Sequence, residues 1–220
     1  GFRVAGDRVI LESADGSTTT GDLLVGADGG RSKVRRLLHP DESPPRPSGI
    51  VAVRGAVHGL LRHLGDLAAV YYLGRGVEAL IVRASDTGIY WFVSVAAELV
   101  PAGERDPAAI LAELMPRFDS TFRAVASATT DLRADDLVDR DPLPFWSSGR
   151  VTLLGDAAHP VLPHTGQGAA QALVDAVTLS QALARDVSVE RALRVYEAER
   201  RGATTALLAK GRRTARVMRT

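Results

Sequence analysis

The sequence contains no cysteine among its 220 residues. That excludes disulfides and every metal centre built on thiolate, and it fits a reducing, cytoplasmic setting. No apolar run reaches the roughly 20 residues that a membrane-spanning helix needs, and no signal peptide opens the chain. An excess of one charge is also missing: 27 Lys and Arg stand against 26 Asp and Glu, so no broad field favours a nucleic acid or another polyanion. Aromatic residues make up only 5%. The Arg-rich tail at 200–220 has none, so it lacks stacking platforms for bases and reads as an exposed amphipathic helix. No pair of histidines with a carboxylate has metal-ligand spacing, so no metal is expected. Repeats and low-complexity segments are absent as well.

What is present is enough apolar residue, 45%, for the core of one or two domains. Alternation over 3–12, the Asp15-Gly16-Ser17 turn and the run 18–25 read as a hairpin or short meander. A short helix is expected at 31–38. The proline-rich stretch 40–48 marks a domain crossing. Four strands follow at 49–57, 67–73, 77–83 and 88–95, closely spaced enough for an antiparallel sheet. Asp106-Pro107 opens a helix over 107–127 that Pro116 should break. A strand over 131–140 follows, and Asp141-Pro142-Leu143-Pro144 marks the return crossing. Residues 151–154 form a buried strand. Helical periodicity then runs through Ala169, Ala172, Leu173, Ala176, Leu179, Ser180 and Leu183. Ser188 caps a further helix over 189–201, with Leu193 and Tyr196 inward. Two α/β pieces, 1–39 and 141–220, thus flank a mostly antiparallel insert, 40–140. The chain starts within a strand and ends without a helix stop, so a piece of a longer protein is expected.

Two stretches carry chemistry. In LLGDAAHPVLPHTGQG, residues 153–168, an apolar strand ends at Gly155-Asp156. In open α/β sheets ligands bind beyond the carboxyl ends of strands. A carboxylate there accepts hydroxyls of a sugar-like chain, and Pro160 and Pro163 fix a loop able to wall a flat ring. Gly166-Gln167-Gly168 then starts a helix, whose free N–H groups and positive dipole end suit an anionic or electron-rich ligand edge. In GADGGRSKVR, residues 26–35, another strand ends in Gly and Asp28. Arg31 or Arg35 faces a phosphate there, or Arg35 is a solvated helix residue. Neither stretch has the G-x-G-x-x-G spacing of a dinucleotide fingerprint. His159 reads as a brace of its turn. On the helix after it, Gln171 and Asp175 face cofactor or solvent. Asp135, Asp136 and Asp139 read as a solvated strand.

Together the two stretches resemble the second and third FAD motifs of the single-component flavin-dependent aromatic hydroxylases, the para-hydroxybenzoate and salicylate hydroxylase family. Val53-Arg54-Gly55, Tyr90-Trp91-Phe92 and residues 144–150 resemble it more loosely. The resemblance implies an α/β fold, α+β overall: part of a glutathione-reductase-like FAD-binding domain interrupted by an antiparallel substrate-binding sheet domain that roofs the flavin.

It implies FAD as cofactor and NAD(P)H and dioxygen as co-substrates in hydroxylating an aromatic or polyketide-like small molecule. Asp156 would hydrogen-bond the ribityl chain or pyrophosphate side of FAD, and Asp28 its ribose–pyrophosphate region. Pro163 would lie near the isoalloxazine, with Gly166 and Gly168 clearing the helix start. The N–H groups of Ala169 and Ala170 would meet the pyrimidine edge. Ala170 stands where many relatives have asparagine, a mild change if only the backbone is used. No position resolves a catalytic base. The family's first motif is absent, so the chain alone is expected to bind FAD poorly or not at all. A flavin-dependent epoxidase or reductase, or a truncated non-catalytic binding protein, are the other readings.

Overall fold

The computed structural model describes residues 1–185 and 188–219. It comprises two compact units, Gly1–Arg46 with Asp139–Thr214, and Pro47–Val138 with residues 215–219.

In the first unit, β1 (Phe2–Ala5) and β2 (Arg8–Glu12) pair antiparallel, and β3 (Thr18–Gly21) extends the meander. The alternation over 3–12 therefore belongs to two strands. Gly6, at φ 60°, turns the chain between them, a conformation glycine takes at little cost. Asp15 fixes the next turn by accepting the Ser17 N–H at 2.9 Å. The run 18–25 is divided too, because β4 (Leu24–Gly26) leaves the meander and pairs parallel with β10 (Val151–Leu153). All three residues of β10 are buried, as a strand covered on both faces requires.

The helices of this unit are α1 (Lys33–Leu38), α4 (Gly168–Arg185) and α5 (Val189–Arg219) as far as Thr214. Ser188 caps α5 by accepting the Arg191 N–H. Leu193 and Tyr196 are buried among Leu143, Trp146, Leu153 and Leu179, and the Tyr196 hydroxyl donates to the Leu153 carbonyl at 3.0 Å. Two expectations change. Helix α5 does not stop at 201: Thr204, Leu207, Leu208 and Ala215 continue its buried stripe, while Arg213, Arg216 and Arg219 stay exposed. The tail is therefore a packed helix rather than a solvated one, and its last residue, Thr220, lies outside the described residues. Helix α4 is rotated from its apolar count. Asp175, Thr178, Leu179 and Ala182 face inward, whereas Leu173 is 70% exposed.

The second unit is built on a five-stranded sheet in the order β6 (Ala69–Gly74), β7 (Val77–Arg83), β8 (Gly88–Ala96), β5 (Arg46–His58), β9 (Leu132–Asp139). The pairs from β6 through β5 are antiparallel. These strands lie within a few residues of the spans expected from the sequence. Helix α2 (Pro107–Leu114) is capped by Asp106 and α3 (Ser120–Ser127) by Asp119, with the break at Met115-Pro116-Arg117. One sheet face, with Val53, Ile81, Trp91 and Val93, packs on Ile110, Leu114, Phe122 and Val125. The indole N–H of Trp91 donates to Thr129 at 2.8 Å. The acids of β9 are paired rather than merely solvated: Asp135 with Arg54 and Asp136 with Arg105. Asp139, in the first unit, binds Arg46 and Arg212.

Candidate cofactor site

Two residues past the end of β10 stands Gly155, whose φ of 61° lies in the left-handed region. A β-carbon there would stand 2.9 Å from that of Ala172, so the strand end rests directly on α4. The turn Gly155–Ala157 presents Asp156 to solvent and buries Ala157 and Ala158. Pro163 opens a second short turn, Pro163–Thr165, which Gly166 closes at φ 63°. Helix α4 then begins at Gly168. A β-carbon on Gly168 would lie 3.8 Å from Asp156 Oδ1. The acid and the helix start are therefore neighbours, and Ala169 and Ala170 are exposed beside them. The first N–H groups of a helix have no partner within it, so this corner offers one carboxylate and a short row of donors.

Beneath the corner lies a buried polar cluster. Asp175, fully buried, accepts the Gly155 N–H at 3.0 Å, His159 Nε2 at 2.5 Å and Arg200 Nε at 2.7 Å. Arg200 Nη2 donates to Gln171 Oε1 at 2.5 Å. His159 does brace its turn, with its ring 5.2 Å from that of Trp146. Asp175 does not face solvent, and Arg200 binds both it and the half-buried Gln171. The sequence offered no local signal for this, since the partner comes from another helix. Burial pushes the Asp175 carboxyl up, but the hydrogen bonds from His159 and Arg200 outweigh it and hold the group below the usual carboxylate range.

The second stretch sits at the end of the neighbouring strand. A β-carbon on Gly26 would meet that of Val34 at 2.7 Å, which sets α1 tightly on β4. Asp28 accepts the N–H of Lys33 at 2.6 Å and of Val34 at 3.4 Å, and Ser32 accepts that of Arg35 at 2.9 Å. Burial raises the Asp28 carboxyl. The Ser32 hydroxyl and those backbone donors more than offset it, so the net shift is downward. Arg31 is exposed. Arg35 is not a solvated residue, and its guanidinium is taken up by protein partners. It is 1% exposed, forks onto Glu42 at 2.6 and 2.8 Å, and donates to the carbonyls of Ala157 and Ala158. Gly30 lies against Pro160, to which a β-carbon would come within 3.6 Å. The fold thus brings both stretches to the carboxyl ends of two adjacent parallel strands, where open α/β sheets place ligands. Among the described residues, no group of three or more His, Asp or Glu side chains could hold a metal ion, and no helix is long and apolar enough to cross a membrane.

Residues 4–210 match the FAD binding domain family. The chain belongs to that family. This chain is 36% identical over 208 residues to the aurachin C monooxygenase/isomerase of Stigmatella aurantiaca, a match covering 91% of the chain and 52% of the relative. It is 33% identical over 207 residues to the 6-hydroxynicotinate 3-monooxygenase of Pseudomonas fluorescens, covering 89% and 53%. Among solved structures, Klebsiella pneumoniae HpxO complexed with FAD and uric acid superposes with a TM-score of 0.88 at 28% identity, covering all of this chain and 57% of that one. The chain spans about half the length of the curated relatives it matches.

The residues present fit the cofactor class. Gly29 and Gly166 hold left-handed turns, and a β-carbon on either would have no atom within 4 Å. The donors at the start of α4 stand next to an exposed acid.

Proposed function

We propose that the chain contributes the second and third cofactor stretches and the substrate sheet of an FAD-dependent monooxygenase. That enzyme uses NAD(P)H and dioxygen to hydroxylate an aromatic or polyketide-like small molecule. The observation that carries the reading is the corner where exposed Asp156 meets the open start of α4, in a chain of the FAD-binding family. The names of its relatives, monooxygenases of aromatic compounds, support the reaction class.

In this reading Asp156 accepts hydroxyls of the ribityl chain. The N–H groups of Ala169 and Ala170 meet the electron-rich pyrimidine edge of the flavin, helped by the helix dipole. Gly166 and Gly168 keep side chains out of the way, and Pro163 lies beside the ring. Asp28, pre-oriented by its backbone donors, serves the ribose–pyrophosphate region. Bound FAD supplies the redox chemistry, and the protein holds it, orients the substrate and excludes water. Residues 1–39 and 141–220 serve the cofactor, and 40–140 the substrate.

The test is to express the coding sequence that contains this chain, purify the protein, and look for bound FAD by absorbance. The next step is to screen aromatic compounds for hydroxylated product formed together with NAD(P)H oxidation. Flavin-free protein, or an epoxidised or reduced product in place of a hydroxylated one, would replace this reading.

A further inference from the structure

The cluster beneath the turn does more than fill a core. Buried ion pairs are poor stabilisers, because desolvation offsets much of their attraction. This one is placed where it controls geometry. Asp175 binds the first and last residues of the segment Gly155–His159, the backbone N–H at one end and the imidazole at the other. Asp156 projects from between them. Asp175 is also part of α4, the helix whose start lies beside Asp156. One carboxylate therefore sets the spacing between the acid and the row of helix donors. Arg200 supplies the counter-charge from α5 and, through its second nitrogen, grips Gln171 one turn inside the start of α4.

We propose that Arg200 and Asp175 are positioning residues for the cofactor. They lock the Gly155–His159 turn to α4 so that Asp156 and the N–H groups at 168–170 face one ligand in fixed register. The proposal rests on the FAD reading above. Neither residue touches the ligand; both act through Gly155, His159 and Gln171.

The experiment uses the full-length protein and its Arg200→Lys and Asp175→Asn variants. FAD affinity is measured by spectral titration well below the unfolding temperature, and hydrogen exchange is followed on the FAD-free protein. Glu190→Gln, which breaks the Arg150–Glu190 pair elsewhere on α5, is the control. The expected result is a loss of FAD affinity of about tenfold, the scale known for supporting residues around bound metals. Faster exchange confined to the amides of 155–159 should accompany it, and neither change should appear in the control. Gln171→Leu removes the Arg200 contact and a long 3.4 Å bond to Gln167, leaves the Asp175–Arg200 pair in place, and carries the same test if the other variants fail to fold, with a smaller loss in the same direction. Variants that melt earlier yet keep the parent affinity and the parent exchange at 155–159 overturn the proposal. If the parent takes up no FAD, the cofactor reading fails on its own. Exchange at 155–159 then still decides whether Arg200 fixes the turn.

Discussion

Arg35 and Ala157 lie 122 residues apart in the chain, yet the guanidinium of one donates to the carbonyl of the other at 3.0 Å. The contact ties α1, whose start lies in the stretch 26–35, to the turn Gly155–Ala157. Arg35→Met should therefore destabilise the chain by about 3 kcal/mol, since it takes the fork away from the partly buried Glu42 carboxylate and strands two buried carbonyls. Glu42 keeps Arg140 at 3.1 Å, so the loss falls short of complete unfolding. Arg35→Lys should recover only part of it, because an ammonium cannot reproduce the fork. Urea unfolding of the three proteins reads the difference.

Two glycines with nearly the same backbone angle should respond differently to alanine. Gly155 and Gly166 sit at φ 61° and 63°, and the left-handed conformation alone costs a non-glycine residue about 1–2 kcal/mol. A β-carbon at 166 meets nothing within 4 Å, whereas one at 155 meets Ala172 at 2.9 Å. Gly155→Ala should therefore be clearly the more harmful, and Ala172→Gly should rescue it in part. Thermal unfolding of the single and double variants is the check.

Asp175 gives the stability a definite dependence on acid. Its folded-state pKa lies below the ordinary 3.8, so its contribution is present above that value and is lost as pH falls through the folded-state pKa. Asp175→Asn should lower stability at neutral pH and flatten the acid limb of a stability-against-pH curve. His39 acts in the same direction at higher pH. Burial lowers its pKa from 6.5, aided by the charge of Arg35, so folding prefers the neutral ring. Stability should decline as pH drops below 6.5, and His39→Phe should remove that slope.

Leu173 is the simplest check on the orientation of α4. Exposed as it is, Leu173→Gln should leave the stability of this chain within about 0.5 kcal/mol of the parent, as surface changes usually do. Leu179→Ala, on the buried side, should cost about 2–5 kcal/mol.

Those α4 residues show where the sequence was legible and where it was not. The sheet of the second unit could be read closely because its alternation and turn glycines are local properties of each strand. The two strand ends were legible for the same reason: Gly-Asp after an apolar run is a signal within a few residues. The inward face of α4 was not, because apolar residues were counted as buried while an acid took the inner position. Its partners make that burial tolerable, and they lie outside α4: Gly155 and His159 in the preceding turn and Arg200 on another helix. Arg35 was misjudged for the same reason, its partners Glu42 and Ala157 being unpredictable from the residues around it. The length of α5 is hidden by Arg213, Arg216 and Arg219, which line the outer face of a helix whose inner stripe is Thr204, Leu207, Leu208 and Ala215.

The bond between Asp175 and Arg200 also bears on how this chain can change over generations. Either residue replaced alone leaves the other's buried charge without its ionic partner, while replacing both with apolar residues removes the mismatch at its source. The two positions should therefore be inherited as a couple, retained together or surrendered together. A descendant that keeps one without the other would mark a lineage in which this corner of the protein has stopped being used.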